Sequence, residues 1–307
     1  MRDRFRLTMA QLNPTVGDLA GNCAKARDAW EQGKAAGADM VALPEMFLVG
    51  YQTQDLVRRR GFVADAWQHI MALAADCADG PLLAIGAPFL NGDRLHNSYF
   101  VLGNGEVLTR FDKHFLPNFN VFDEVRLFNR GEIKGPFATA NDGPRIGSPI
   151  CEDAWYPDVC EAMVESGAEI LMVPNGSPYF RGKMPIRMNE MVSRVVENDV
   201  PLVYLNMVGG QDDQVFDGGS FVLNRGGQLA VQMPILQSAI THVDFKETDA
   251  GWEAVPGEFA PIPDDIEQDY NVMVVGLRDY MRKTGFQKVL LGLSGGIDSA
   301  IVAAIAA

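Results

Sequence analysis

Apolar positions along this chain fall into short runs of strand length, separated by longer stretches with helical spacing. "FRLTMAQL" (5–12) reads as a strand, and "GNCAKARDAWEQGKAAGA" (21–38) as an Ala-rich helix that Asp18 is placed to cap. "MVALPE" (40–45) is an apolar run ending in a carboxylate, 65–78 has helical texture, and "PLLAIGAPFL" (81–90) reads as a buried strand. The rhythm then changes. "NSYFVLGNGEVLTRFDK" (97–113) reads as two strands joined at Gly103-Asn104-Gly105, because Asn and Gly accept the positive φ of a tight hairpin turn. "RIGSPICED" (145–153) is a strand expected to run into a polar motif, 155–166 a helix, and "EILMVPNGSP" (169–178) a strand followed by a loop. A helix (184–198), a strand (201–209), a second hairpin (218–233) turning at Arg225-Gly226-Gly227 and a strand (240–245) complete the run.

This α/β alternation, interrupted by hairpins, argues for β layers faced by helices and against a purely parallel sheet. Periodicity alone fits both a two-sheet sandwich and a mixed open sheet. After Lys246 the texture becomes acidic and carries Pro256, Pro261 and Pro263, which reads as a linker. The expected organisation is one domain over 1–246, a linker over 247–269 and a further unit over 270–307. That unit holds a helix (270–284), a strand "KVLLGLS" (288–294), a Gly pair and the start of a second helix. Some 40 residues are fewer than the ~100 of a usual domain, so an incomplete second domain is expected.

Charge removes some functions from consideration. Lys plus Arg is 26 against 40 Asp plus Glu, a net −14, which disfavours nucleic acid and anionic membranes as partners. No apolar stretch approaches the length of a membrane span, and the N-terminus does not read as a signal peptide. Cys23, Cys77, Cys151 and Cys160 show no CxxC pair or zinc spacing, so no metal site and no disulfide framework is expected, and a reducing cytoplasm is the default.

Three stretches carry candidate chemistry: "ALPEMF" with Glu45, "RFDKHFLPN" with Lys113 and "SPICEDAW" with Cys151, each at or just beyond the end of an expected strand. A thiol, a carboxylate and an ammonium suit acyl transfer from an amide. The thiolate attacks the carbonyl, the carboxylate moves the proton, and the cation and the Glu152 backbone N–H stabilise the oxyanion. Residue by residue, a plain reading also stands. Cys151 fits a small core residue, Glu45 a helix cap, and Lys113 a solvated edge charge.

"LPEMF", "DKHFLPN" and "PICEDAW", in that order, resemble the nitrilase superfamily of carbon–nitrogen hydrolases over roughly residues 5–245. The resemblance implies an αββα sandwich and a Glu-Lys-Cys triad of Glu45, Lys113 and Cys151, with Glu124 as a supporting glutamate. Glu152 then faces the substrate, where a carboxylate suits an α-ammonium group such as that of glutamine. "LGLSGGIDSA" (291–300) lacks the GxGxxG and Walker spacings. A strand, a Gly pair and a helix start present free N–H groups to phosphate, or simply make a turn. The stretch resembles the SGGxDS loop of ATP pyrophosphatases, which implies ATP contacts across Gly292, Leu293, Ser294, Gly295, Gly296, Ile297, Asp298 and Ser299.

The two motifs together resemble the family of bacterial glutamine-dependent NAD synthetases. That resemblance implies L-glutamine, ATP and deamido-NAD as substrates, with Mg2+ accompanying ATP, no cofactor for the amidase part, and a homo-oligomer. In the loop "NGSPYFRGKMPIR" (175–187) it implies Ser177 and Lys183 as glutamine contacts, with Phe119 where the family commonly has Tyr and Tyr51 as a pocket wall. A stand-alone amidase for another small amide, or a non-catalytic module, are the alternative readings.

Overall fold

The computed structural model describes residues 4–139 and 142–307. Two sheets form its centre. The first uses β1 (Arg4–Gln11), β2 (Met40–Ala42), β3 (Leu82–Asn91), β4 (Arg94–Gly103) and β5 (Glu106–Asp112), with α1 (Leu19–Ala35) and α2 (Arg60–Asp76) between its early strands. After α3 (Glu124–Leu127), the second sheet takes β6 (Phe137–Ala138), β7 (Arg145–Gly147), β8 (Ile170–Asn175) and β9 (Leu202–Asn206), with α4 (Pro157–Glu165) and α5 (Lys183–Asn198). A small hairpin, β10 (Val208–Gln211) and β11 (Gln214–Asp217), precedes β12 (Phe221–Asn224) and β13 (Gln228–Gln232). The chain then returns to the first sheet through β14 (Ala239–Thr248) and β15 (Gly251–Ala254), and continues into α6 (Asp265–Thr284) and α7 (Ile297–Ala306).

Strand order is β15-β14-β1-β2-β3-β4-β5 in the seven-stranded sheet and β13-β12-β9-β8-β7-β6 in the six-stranded one. The middles are parallel and the flanks antiparallel. One apolar cluster joins the inner faces, with Phe5, Leu7, Tyr99, Val101 and Phe111 from the first sheet and Ile170, Met172, Tyr204 and Phe221 from the second. The outer face of the first sheet packs Val41, Leu83, Ile85 and Phe100 against Ala26 and Trp30 of α1 and Ala66 and Ile70 of α2. Val159 and Met163 of α4 and Met191 and Val195 of α5 cover the second sheet. The result is the αββα sandwich implied by the motifs.

Several boundaries differ from the sequence reading. The strand expected over 201–209 divides into β9 and β10, and the Gly- and Asp-containing segment 210–217, to which the apolar pattern assigns no element, completes the β10–β11 hairpin, with Asp212 at φ +53° in the turn. Part of the expected linker is sheet, because Gly251–Ala254 pairs with Phe245–Thr248 and buries Trp252 edge-on against Phe5. Helix α6 also starts inside that linker, where Asp264 accepts from the N–H groups of Ile266 and Glu267. Conversely, 288–294 is not a strand. A strand needs a ladder partner, and among the described residues none pairs with it.

Helix α6 docks on β10 through the buried Asp279, which accepts from Asn13 Nδ2 at 2.7 Å and Gly210 N at 2.8 Å, while Lys283 Nζ donates to Pro14 O at 2.7 Å. Asp279→Ala leaves two donors unpaired and is expected to weaken docking by about 2 kcal/mol. Limited proteolysis of 255–264 then accelerates severalfold, whereas an unchanged rate shows that other contacts hold the helix.

Candidate active site

Glu45 lies three residues past β2. Its backbone is pressed against β3, where a Cβ at Gly86 would sit 2.1 Å from the Met46 nitrogen, so only glycine permits the approach. Lys113 follows β5 directly, and Asn97 lies on neighbouring β4. The Lys113 ammonium donates to Glu45 Oε1 at 2.7 Å and to Glu124 Oε1 at 3.1 Å. Asn97 Nδ2 donates to the same two oxygens at 2.7 and 3.2 Å, Tyr51 OH to Glu124 Oε1 at 2.8 Å, and Gly176 N to Glu45 Oε2 at 2.8 Å. Glu45 and Lys113 are fully buried, and Glu124 nearly so. Burial pulls the Lys113 amine down, but Glu124 and Glu45 outweigh it and hold it charged, well above its ordinary value. Burial raises Glu124, with Lys113 opposing and Glu45 assisting.

Cys151 begins a 3-10 turn (Cys151–Ala154) with φ +49°, a left-handed conformation unusual for a residue with a side chain. Burial pushes its thiol well above the ordinary value, Glu45 and Glu152 add to this, and Lys113 opposes it. The resting sulfur is therefore a neutral thiol in the field of both the carboxylate and the ammonium. Asp153 fixes this turn against the lysine segment: its carboxylate accepts from Ile150 N at 3.0 Å, His114 N at 3.0 Å and Phe115 N at 2.7 Å. Burial pushes the Asp153 carboxyl up to about 7 against those donors.

Cys151 opens onto a cavity of about 580 Å³ lined by Phe119, Glu152, Trp155, Ser177, Lys183 and Val272, among others. Burial raises Glu152 and lowers Lys183 to about 8, so an acid and a base of the cavity wall are both partly desolvated, and Asp213 adds a second carboxylate to the lining. Lys183 Nζ donates to Pro178 O at 2.9 Å. The Ser177 hydroxyl accepts from Arg187, itself paired with Asp217 at 3.1 Å in the interior.

Of the residues singled out from sequence, Cys151, Glu152, Phe119, Ser177 and Lys183 line the cavity. Glu45, Lys113 and Glu124 form the buried network beside it. Tyr51 does not wall this cavity, contrary to expectation. It is packed against Gly176, where a Cβ would meet its ring at 2.6 Å, and its hydroxyl is committed to Glu124. Sequence reasoning missed Asn97, Asp153 and the Arg187–Asp217 pair. Asn97 had a signal, a polar residue inside the apolar strand "LHNSYFVL". It also missed Val272 of α6, whose position on the cavity depends wholly on how α6 docks.

Gly292 to Gly296 form an exposed loop and Ile297 to Ser299 the first turn of α7, all outside the cavity lining. Gly295 has φ +85°, Ser294 Oγ and Ser299 Oγ are 3.1 Å apart, and a Cβ at Gly292 or Gly295 would meet nothing within 4 Å. Leu293 and Ile297 are exposed beside them. Asp298 is the carboxylate in the first turn of α7, and among the described residues no cluster of three or more His, Cys, Asp or Glu could hold a metal.

Residues 6–250 match the family model for carbon–nitrogen hydrolases. The chain belongs to the carbon–nitrogen hydrolase family. Residues 269–307 of the chain match the family model for NAD synthase. The chain is 57% identical over its whole length to a glutamine-dependent NAD(+) synthetase of Rhodobacter capsulatus, covering 55% of that protein. It is 34% identical over 99% of its length to the Thermotoga maritima protein of the same name, covering 58% of it. The chain thus spans a little over half the length of these relatives. The solved structure of the glutamine-dependent NAD+ synthetase from Acinetobacter baumannii in complex with ADP superposes with a TM-score of 0.92 at 34% identity, over 99% of this chain and 57% of that one. An amidase from Nesterenkonia sp. AN1, 23% identical, covers 81% of this chain and 93% of that one with a TM-score of 0.71, which shows the shared fold.

Among the described residues, no helix is long and apolar enough to cross a membrane.

Proposed function

We propose that the chain hydrolyses L-glutamine and supplies the ammonia for ATP-dependent amidation of deamido-NAD to NAD(+). The observation that carries this reading is an ammonium clamped between two buried carboxylates beside a thiol, where the thiol lines a cavity that also presents Glu152 and Lys183. In this reading Glu45 takes the Cys151 proton as the sulfur attacks the side-chain amide carbon, and returns it to the nitrogen that leaves as ammonia. Water then cleaves the thioester to release glutamate. An ammonium has three donors, and Lys113 commits two of them to Glu45 and Glu124. The third, with the Glu152 backbone N–H, meets the oxyanion. Glu152 takes the substrate's α-ammonium and Lys183 its carboxylate, with Ser177 and Phe119 shaping the pocket.

The residues Gly292 to Ser299, an open glycine loop and the first turn of α7, support a phosphate-holding role toward ATP. Mg2+ is commonly held by one or two carboxylates plus phosphate oxygens, which suits Asp298, and it would neutralise phosphate charge. The proposal includes a homo-oligomer with no nucleic-acid or membrane partner in a reducing cytoplasm, and a hydrolase domain that extends through β15.

The test is ammonia release from L-glutamine compared with its des-amino analogue and with acetamide. Expected is a preference for glutamine that Glu152→Gln reduces at least tenfold, since a charged hydrogen bond contributes about 1.5–3 kcal/mol. Equal turnover of acetamide would instead mark a general amidase. The pH profile follows from the same two groups. The Lys183 ammonium is lost as pH rises through about 8, so KM increases on the alkaline side. Glu152, raised above the ordinary carboxylate range, protonates as pH falls and produces the acid limb. Lys183→Met should erase the alkaline limb in KM; a limb that persists removes Lys183 from substrate binding.

A further inference from the structure

Side chains alternate across a strand. Asn97 and Lys113 face the buried carboxylates, so their neighbours on β4 and β5 face the other way. Arg94, His96, Arg110 and Asp112 lie there, and with Asn91, Arg130, Glu132 and Lys134 they line a cavity of about 510 Å³. In a chain of net charge −14, this lining holds four cations against two carboxylates. Asp112 is already engaged, accepting from Arg110 Nη2 at 2.9 Å and Ser98 Oγ at 2.5 Å. Arg94, Arg130 and Lys134 form no ion pair among the described residues. They donate instead to the carbonyls of Arg130, His114 and Arg110 at 3.1–3.3 Å, and Lys134 also to Thr109 Oγ1 at 2.6 Å.

Aromatic rings pack against two of these guanidinium groups. The Arg130 guanidinium stacks 5.0 Å from the Phe115 ring centroid, and that of Arg110 4.0 Å from Phe89. His96 is 5% exposed, and its Nδ1 has no hydrogen-bond partner among the described residues. A buried nitrogen left unpaired is costly, and a ligand that reaches it removes the cost.

We propose that this cavity is a binding site for a small phosphoryl-class dianion, held by Arg94, Arg130 and Lys134, with His96 completing the contacts from the cavity floor. Guanidinium groups match phosphate oxygens in pairs, and Lys134 adds a point charge. Burial lowers His96, Asp112 raises it, the backbone of Asn129 raises it further, and Arg110 and Arg94 oppose. A bound dianion adds a strong raising influence. The site stands apart from the cysteine cavity, but His96 and Asp112 each precede a residue of the buried network, Asn97 and Lys113.

Calorimetry with inorganic phosphate, glycerol 3-phosphate and acetate at constant ionic strength tests the assignment. Phosphate or the phosphomonoester should bind with one site per chain, and whichever is tighter identifies free phosphate or an esterified phosphoryl group as the source. Acetate should bind at least tenfold more weakly. Arg130→Ala with Lys134→Ala, both at exposed positions, should weaken phosphate at least tenfold, about the worth of one charge-assisted hydrogen bond. NMR titration of the four histidines should show one, absent in His96→Gln, whose pKa rises on adding phosphate. Cys151→Ala should leave binding unchanged, which separates this result from the glutaminase reading. Phosphate heats indistinguishable from buffer, an undiminished double variant, or acetate binding as tightly as phosphate would each overturn the proposal.

Discussion

Cys151→Ala is expected to abolish ammonia release from L-glutamine, with kcat falling about 10⁴-fold or more, since removing a nucleophile leaves only binding and oxyanion stabilisation. The substitution removes a single buried sulfur, and the Asp153 anchors on Ile150, His114 and Phe115 remain. Folding and glutamine affinity should therefore survive, and calorimetry on the variant should still detect the amino acid. Cys23→Ala is the control. Cys23, Cys77 and Cys160 are buried free thiols whose pKa values burial pushes up to about 11, 12 and 12, and none lines the cavity. Turnover by Cys151→Ala within tenfold of the parent would end the thioester mechanism.

Lys113→Met should damage both activity and stability. Methionine fills similar space but leaves Glu45 and Glu124 facing each other in the interior without a counter-charge. Removing one partner of a buried pair typically costs about 3–5 kcal/mol, equivalent to a fall in Tm on the order of 10 °C. Adding Glu124→Gln removes one of the stranded charges. The double variant should regain part of the Tm and none of the activity, because Gln removes the repulsion between the two carboxylates, while Glu45 stays without its counter-charge and nothing replaces the Lys113 ammonium at the oxyanion. A single variant that melts with the parent would show that the network's charges are not balanced by Lys113.

The first of these outcomes rests on residues that were legible one at a time. Glu45, Lys113 and Cys151 each stand in a short motif at the end of an apolar run, and the order of those motifs carried the family resemblance. The hairpin at Gly103-Asn104-Gly105 and the helix cap at Asp18 were equally plain, because turns and caps are local chemistry. Other features resisted. The β10–β11 hairpin is polar and Gly-rich, so its strand character comes from pairing and not from composition. Gly251–Ala254 looked like linker because burial of Trp252 depends on Phe5, far away in sequence. The expected strand at 288–294 had the right composition and no partner.

The sequence by itself determined the alternating layers, the positions of the thiol, the ammonium and the carboxylates, and the glycine-rich loop before the last helix, because spacing and residue type express local propensity. Tertiary structure alone decided that Tyr51 supports Glu124 instead of walling the cavity, that Asp153 ties the cysteine turn to the lysine segment, and that Val272 reaches the pocket. It also decided the protonation landscape. The pKa of a side chain is set by burial and by neighbouring charges, and those neighbours lie scores of residues apart until the two sheets pack.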